Sequence, residues 1–119
     1  MRKFFGQLSY TNGSNDYLDV KRLLFIKNEF ITFDMKTSWG EHGFWVCQGK
    51  ANFDQQTNRY FASHVDSHIA TDPKHIDEGI QIEFYDLTYD EKYHELDIKG
   101  ILIYANDRYD FEGMLELLI

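Results

Sequence analysis

The sequence predicts an all-β fold, an eight-stranded antiparallel up-and-down barrel, from three observations. Eight short strand-like segments follow one another along 119 residues, most alternate apolar and polar side chains, and most connections are tight turns. An eight-stranded open sheet would leave one apolar face and two edges in water, so it must curl or split into two packed sheets. Short connections between sequential segments favour the closed meander.

Turn formers separate the eight segments, which span residues 3–10, 18–26, 30–37, 44–53, 59–69, 80–84, 95–104 and 109–117. The third shows the alternation most clearly, with Ile31, Phe33 and Met35 on one face. The second leaves an alternative open, because residues 16–26 also have helical spacing and Asp16 could cap a first helical turn. We favour the strand.

The later segments follow the same period. The fourth places Cys47, Gly49, Ala51 and Phe53 on one face, and the sixth, seventh and eighth alternate apolar with acidic or amide side chains. The longest connection, 70–79, contains the only proline, outside every predicted strand. A hairpin turn at 105–107 joins the last two segments.

Length, composition and charge limit the classes of protein to which this chain can belong. The length fits one domain, 1–119, and ten Phe, eight Tyr and two Trp give ample material for a core. A net charge of −8 argues against nucleic-acid binding, which needs a basic face. The single cysteine excludes an internal disulfide, and no apolar stretch reaches the length of a membrane span. We expect a cytoplasmic protein without a cofactor.

The expected function is non-catalytic binding of a small hydrophobic or amphipathic molecule in the barrel lumen. Small inward residues such as Gly49, Ala51 and Gly100 would leave room beside the aromatic ones, and Arg22 could hold an anionic head group. The predicted ligand-binding residues are Arg22, Phe33, Met35, Ala51, Phe84, Gly100, Tyr104, Tyr109 and Phe111. Two alternatives stay open: a barrel this narrow can be filled by its own side chains, and Arg22 can be solvated.

Strand count and order resemble those of the calycin-type barrels, the lipocalins, fatty-acid-binding proteins and avidin-like proteins. Lipocalins carry Gly-x-Trp in the first strand, where this chain reads Phe5-Gly6-Gln7-Leu8. Fatty-acid-binding proteins hold a carboxylate with Arg-x-Tyr, where this chain has Arg108-Tyr109, whose side chains should face opposite sides of a strand. The resemblance implies a closed barrel that holds a small apolar ligand, without the usual carboxylate clamp.

Two further patterns suggest other activities. His64, Asp66 and His68 share one face of a strand and could bind a divalent metal, which makes a metal-dependent enzyme an alternative; we favour a polar outer face. An outward apolar set suggests a homodimer through the last two strands, unless a bulge at Gly100 turns part of it inward. This set is Ile101, Ile103, Met114 and Leu118. The alternative function is an acidic protein-interaction module, such as an inhibitor or immunity-type protein, with a filled core.

Overall fold

The computed structural model describes residues 2–38, 43–76 and 79–118, and these residues form strands and turns without a helix. The ten strands are β1 (Arg2–Tyr10), β2 (Tyr17–Ile26), β3 (Phe30–Ser38), β4 (Phe44–Asp54), β5 (Arg59–Ala62), β6 (Val65–Ile69), β7 (Asp72–Ile76), β8 (Gln81–Asp90), β9 (Glu95–Tyr104) and β10 (Asp107–Leu117). Residues 17–26 are therefore a strand, and the helical alternative is wrong. Nowhere in the described ranges is there a helix long and apolar enough to cross a membrane.

The strands close into an antiparallel barrel. β2 pairs with β3, β3 with β4, β4 with β5, β5 with β8, β8 with β9 and β9 with β10. β1 pairs with both β2 and β10, which joins the two ends of the meander. β5 and β6 both pair with β4, and the register shifts by one residue between them, so they are two halves of one interrupted barrel strand. The barrel has eight strand positions, as predicted, and β7 is an extra strand that pairs with β6.

Side-chain alternation builds a single core inside the barrel. The inner face of β3 carries Ile31, Phe33 and Met35, and that of β4 carries Cys47 and Ala51, all buried as their period of two predicts. In the last strand Tyr109 packs against this core while Arg108 is exposed, so these neighbours face opposite sides as expected.

A β-bulge overturns part of the expected face assignment. The pairing of β2 with β3 shifts between Val20 and Arg22, so Leu23 takes the buried position and Arg22 is exposed. The prediction that Arg22 shares the apolar inner face is therefore wrong. In β5 the buried residues are Tyr60 and Ala62, whereas Phe61 is 41% exposed.

Candidate functional site

Three phenylalanine rings cross the centre of the barrel in contact with one another. The Phe33 and Phe84 ring centroids are 5.5 Å apart and those of Phe84 and Phe111 are 6.0 Å apart, both in edge-to-face geometry. Tyr10 extends the chain, with its ring 6.3 Å from that of Phe111. All four residues are buried, so the rings pack on each other in the space where a ligand was expected.

The inward glycines are covered by these rings. Gly100 lies directly opposite both Phe84 and Phe111 on the neighbouring strands. A Cβ atom at Gly100 would lie 2.3 Å from Phe111 Cζ, and one at Gly49 would lie 2.9 Å from Phe33 Cζ. The glycines therefore make room for protein side chains, and the lumen is filled at these two positions.

The structure brings most of the predicted ligand-binding residues together. Six of them share the interior, namely Phe33, Met35, Ala51, Phe84, Gly100 and Phe111. Tyr104 and Tyr109 are half-buried and pack against the core, and Arg22 lies outside. In the part of the chain that the structure describes, other residues than these six line the surface clefts.

Hydrogen bonds close the barrel end that contains Tyr10. Its hydroxyl bonds the Thr37 hydroxyl at 2.6 Å, and because Thr37 Oγ1 donates to the Ser38 carbonyl, Tyr10 is the donor. Ser38 Oγ accepts from the Tyr17 amide at 2.7 Å and donates to Asp16 at 3.1 Å. Burial raises the pKa of Tyr10 well above its ordinary value.

The histidine pattern does not form a metal centre. His64 Nε2 lies 3.2 Å from Asp66 Oδ1, and both side chains are about three-quarters exposed. His64 lies at the break between β5 and β6, whereas His68 lies within β6. Within the part of the chain that the structure describes, no group of three or more potential ligands is placed to hold a metal ion.

The outward apolar set is only partly exposed. Met114 and Leu118 are 48% and 46% exposed, and Ile103 is half-buried. Ile101 is only 2% exposed and so contributes no surface for a dimer, which corrects that part of the prediction. The pairing of β9 with β10 runs through Gly100 without a shift, so a bulge there is not the reason.

Ile101 is buried although it lies on the outer face of the barrel, between charged neighbours. It lies opposite Glu83 on β8 and Asp110 on β10. Glu83 pairs with Arg59 at 3.4 Å, and Arg108 donates to both oxygens of Asp110 at 2.9 and 3.1 Å. We infer that the aliphatic stems of these side chains cover Ile101, as long charged residues often cover apolar surface.

Strands β8 to β10 carry nearly all of the net charge. Residues 81–118 contain ten acidic and three basic residues, a formal charge of −7 against −8 for the whole chain. On this acidic wall Glu95 lies directly opposite Glu116 on the adjacent strand. Carboxylates in directly opposed positions repel each other, so this arrangement costs stability.

Apolar side chains lie beside the acidic wall, along the seam where β1 meets β10. Phe5 is 37% exposed and lies opposite Glu116, between Met114 and Leu118 on the outer side of β10. We call Phe5, Met114 and Leu118 the seam ridge. A groove of about 510 Å³ lies on its β2–β4 side, where Phe5 and Leu118 meet Val46. A second groove of about 550 Å³ lies on the other side, where Met114 meets Asp97 and Glu112.

The sequence interpretation missed Phe5 in this ridge. Phe4 and Phe5 are adjacent, so one of them must face outward from a strand, and that alternation was the available signal. The sequence also allowed the pairing of Glu95 with Glu116 to be predicted, because residues at equal distances from the two-residue turn at Ala105-Asn106 lie opposite each other in the hairpin. Both residues of this turn have positive φ, as a tight hairpin of primed type requires.

Comparisons with known proteins do not assign the chain to a family. No family model, no curated protein and no solved structure matches it.

Proposed function

We propose that this protein is a non-catalytic interaction module that binds a basic protein segment on the acidic wall and the seam ridge. The observation that carries the proposal is the placement of a formal charge of −7 on three adjacent strands, next to exposed apolar side chains. Opposite charges steer partners together and fix their orientation, while burial of apolar area supplies much of the affinity.

The seam ridge has the composition of an interface centre. Methionine and aromatic residues are enriched in the buried parts of protein interfaces, and charged residues form the solvated rim. Here Phe5 and Met114 supply the apolar centre, with Leu118 beside them. Glu112, Glu116 and other acidic residues of the wall supply the rim.

The opposed pair Glu95 and Glu116 supports a cationic partner. In the free protein these carboxylates repel across the ladder, and an arginine of the partner placed between them would relieve that repulsion. Each surface carboxylate contributes little alone, so the affinity requires several of them acting with the apolar ridge.

Charge also decides between a basic partner and a second copy of this chain. A twofold dimer through the seam would bring two acidic walls, each of formal charge −7, close together. Like charges placed face to face suppress association. We therefore propose a basic partner as the occupant and treat the homodimer as an outcome of the test.

The test is a selection from a displayed library of random peptides on the immobilised protein. We expect enriched peptides that combine arginine or lysine with apolar residues and that dissociate in high salt. A wall variant, Asp97→Asn with Glu112→Gln and Glu116→Gln, should lose them. A matched control, Glu29→Gln with Asp66→Asn and Asp72→Asn, makes the same change in net charge with exposed carboxylates outside the wall and its two grooves and should retain them.

Two outcomes would overturn the proposal. One is the selection of peptides that lack basic residues, and the other is equal binding of the selected peptides by the wall variant and the control variant. A concentration-dependent dimer in sedimentation that disappears in Met114→Ser would instead assign the seam to self-association.

We also propose that the barrel is calycin-like in kind. The up-and-down order of eight strands and the closure of β1 on β10 support this. A ligand in the lumen would have to displace the rings that lie over Gly49 and Gly100, so we propose that the lumen is filled by the protein's own side chains. Native mass spectrometry tests it: we expect the bare mass, and a co-purified small molecule at one per chain would contradict the filled lumen.

A further inference from the structure

The barrel end opposite Tyr10 carries a cleft that shares Asp86 with the acidic wall but contains none of the wall residues altered in the peptide-binding test. It has a volume of about 280 Å³, near the lower limit for small-molecule sites. It lies between the turn that joins β2 to β3, the turn that joins β4 to β5, and the middle of β8. Its lining combines apolar and polar residues, namely Phe25, Lys27, Asn28, Phe53, Asn58, Tyr60, Asp86, Leu87 and Thr88.

Aromatic rings form an apolar part of this lining. The Tyr60 ring lies 5.8 Å from that of Phe25 and 5.0 Å from that of Phe53, measured between centroids. Phe25 and Phe53 are only partly buried, so their faces are available to a ligand. Such a cluster offers apolar contact to a small ring or aliphatic side chain.

Tyr60 places a free donor in the cleft. The residue is only 4% exposed, and its hydroxyl oxygen accepts a hydrogen bond from the Asn28 amide at 2.8 Å. Across the described ranges this is the one hydrogen bond the hydroxyl makes, so its own proton is left without an acceptor. A buried donor without an acceptor favours a ligand that brings one.

Opposite charges face this cleft from different strands. Lys27 follows β2, and Asp86 lies in β8, where the backbone turns through a positive φ of 51°. Both side chains are exposed, and neither forms an ion pair with any residue in the described part of the chain. The cleft therefore offers a cation and a carboxylate at the same time.

From this arrangement we infer that the cleft binds a small zwitterion of the amino-acid type. Its carboxylate lies toward the Lys27 ammonium and accepts the Tyr60 hydroxyl proton. Its ammonium lies toward Asp86, and its side chain rests on the rings of Phe25 and Phe53. A ligand with only one of the two charges leaves Lys27 or Asp86 unmatched, so the cleft discriminates by charge pattern.

The experiment is titration of the ¹⁵N-labelled protein with each proteinogenic L-amino acid, followed by amide chemical shifts. We expect saturable shifts at residues 27–28, 58–60 and 86–88 for at least one apolar or aromatic amino acid, with a Kd of about 1 mM for so small a ligand. If phenylalanine binds, phenethylamine and phenylpropionate each lack one charge and should bind about tenfold more weakly. The absence of saturable shifts at these residues for every amino acid would overturn the proposal, as would equal binding of a ligand and its single-charge analogues.

Variants separate the proposed contacts from the fold. Tyr60→Phe keeps the ring and removes the donor, and Asp86→Asn keeps a residue type that tolerates positive φ. Each should weaken binding about tenfold while the remaining spectrum is unchanged. Tyr93→Phe and Asp107→Asn alter exposed residues outside the cleft and serve as matched controls that should bind normally. A variant of the acidic wall that loses peptide binding should still bind the amino acid, so either proposal can fail alone.

Discussion

Replacing Gly100 by alanine adds one methyl group where two phenylalanine rings meet the β9 backbone. The new Cβ would lie 2.3 Å from Phe111 Cζ, 2.5 Å from Phe111 Cε1 and 2.6 Å from the Glu83 carbonyl oxygen. Carbon atoms pack best at about 3.5–4.0 Å, so the ring must move by more than about 1 Å. The ring has little space for this, because Phe84 and Tyr10 pack against it.

The expected cost follows from these contacts. Overpacking a core costs about 1–3 kcal/mol, and the upper end applies because both a buried ring and a backbone oxygen must shift. Alanine has fewer conformations in the unfolded chain than glycine, which favours the folded state where the backbone conformation suits both residues. This effect offsets about 0.5–1 kcal/mol of the overpacking cost. The net loss should be about 2 kcal/mol, or roughly 8 °C in Tm for a domain of this size.

Urea unfolding followed by tryptophan fluorescence measures this loss as a lower midpoint at unchanged m. Gly49→Ala is the matched control, since its Cβ meets Phe33 Cζ at 2.9 Å and backbone only at 3.4 Å, and it should cost less than about 1 kcal/mol. Adding Phe111→Leu to Gly100→Ala should recover part of the loss in a double-mutant cycle. A Gly100→Ala protein as stable as the wild type would show free space above Gly100 and refute the filled lumen.

Three further predictions concern single residues. Tyr10→Phe removes the buried bond to Thr37 and should cost about 1–2 kcal/mol. Because burial raises the folded-state pKa of Tyr10, wild-type stability should fall as pH rises above the unfolded value of about 10, and Tyr10→Phe should flatten that fall in unfolding curves. Ile101→Ala should cost about 2 kcal/mol by urea denaturation, whereas a loss below about 0.5 kcal/mol would mean that the residue is not packed. Glu95→Gln should stabilise the protein by about 0.5 kcal/mol at low salt by removing repulsion from Glu116, and a gain unchanged in high salt would contradict an electrostatic cause.

The barrel could be predicted from the sequence because the strand period and the turns are local signals. Residues 30–37 alternate cleanly, and the Ala105-Asn106 turn fixes the register of β9 against β10. The bulges could not be predicted from alternation alone, because an extra residue in one strand is defined by its pairing with the next. That is why Arg22 was expected inside although Leu23 takes the position.

The filling of the lumen depends on register rather than on composition. Small residues on an inner face predict space only if no large side chain lies opposite them. Gly100 faces Phe84 on one strand and Phe111 on the other, so the rings fill the space that the glycine leaves. Similarly, acidic residues at 95 and 116 look separate in sequence and become neighbours only when β9 and β10 pair.

An NMR titration of the labelled protein with a selected basic peptide would locate the partner on the barrel surface. We expect amide shifts that cluster on the acidic wall and seam, at residues 95–99 and 112–118, with affinity that falls as salt is raised. Shifts confined to β3 and β4, or binding insensitive to salt, would contradict the proposal.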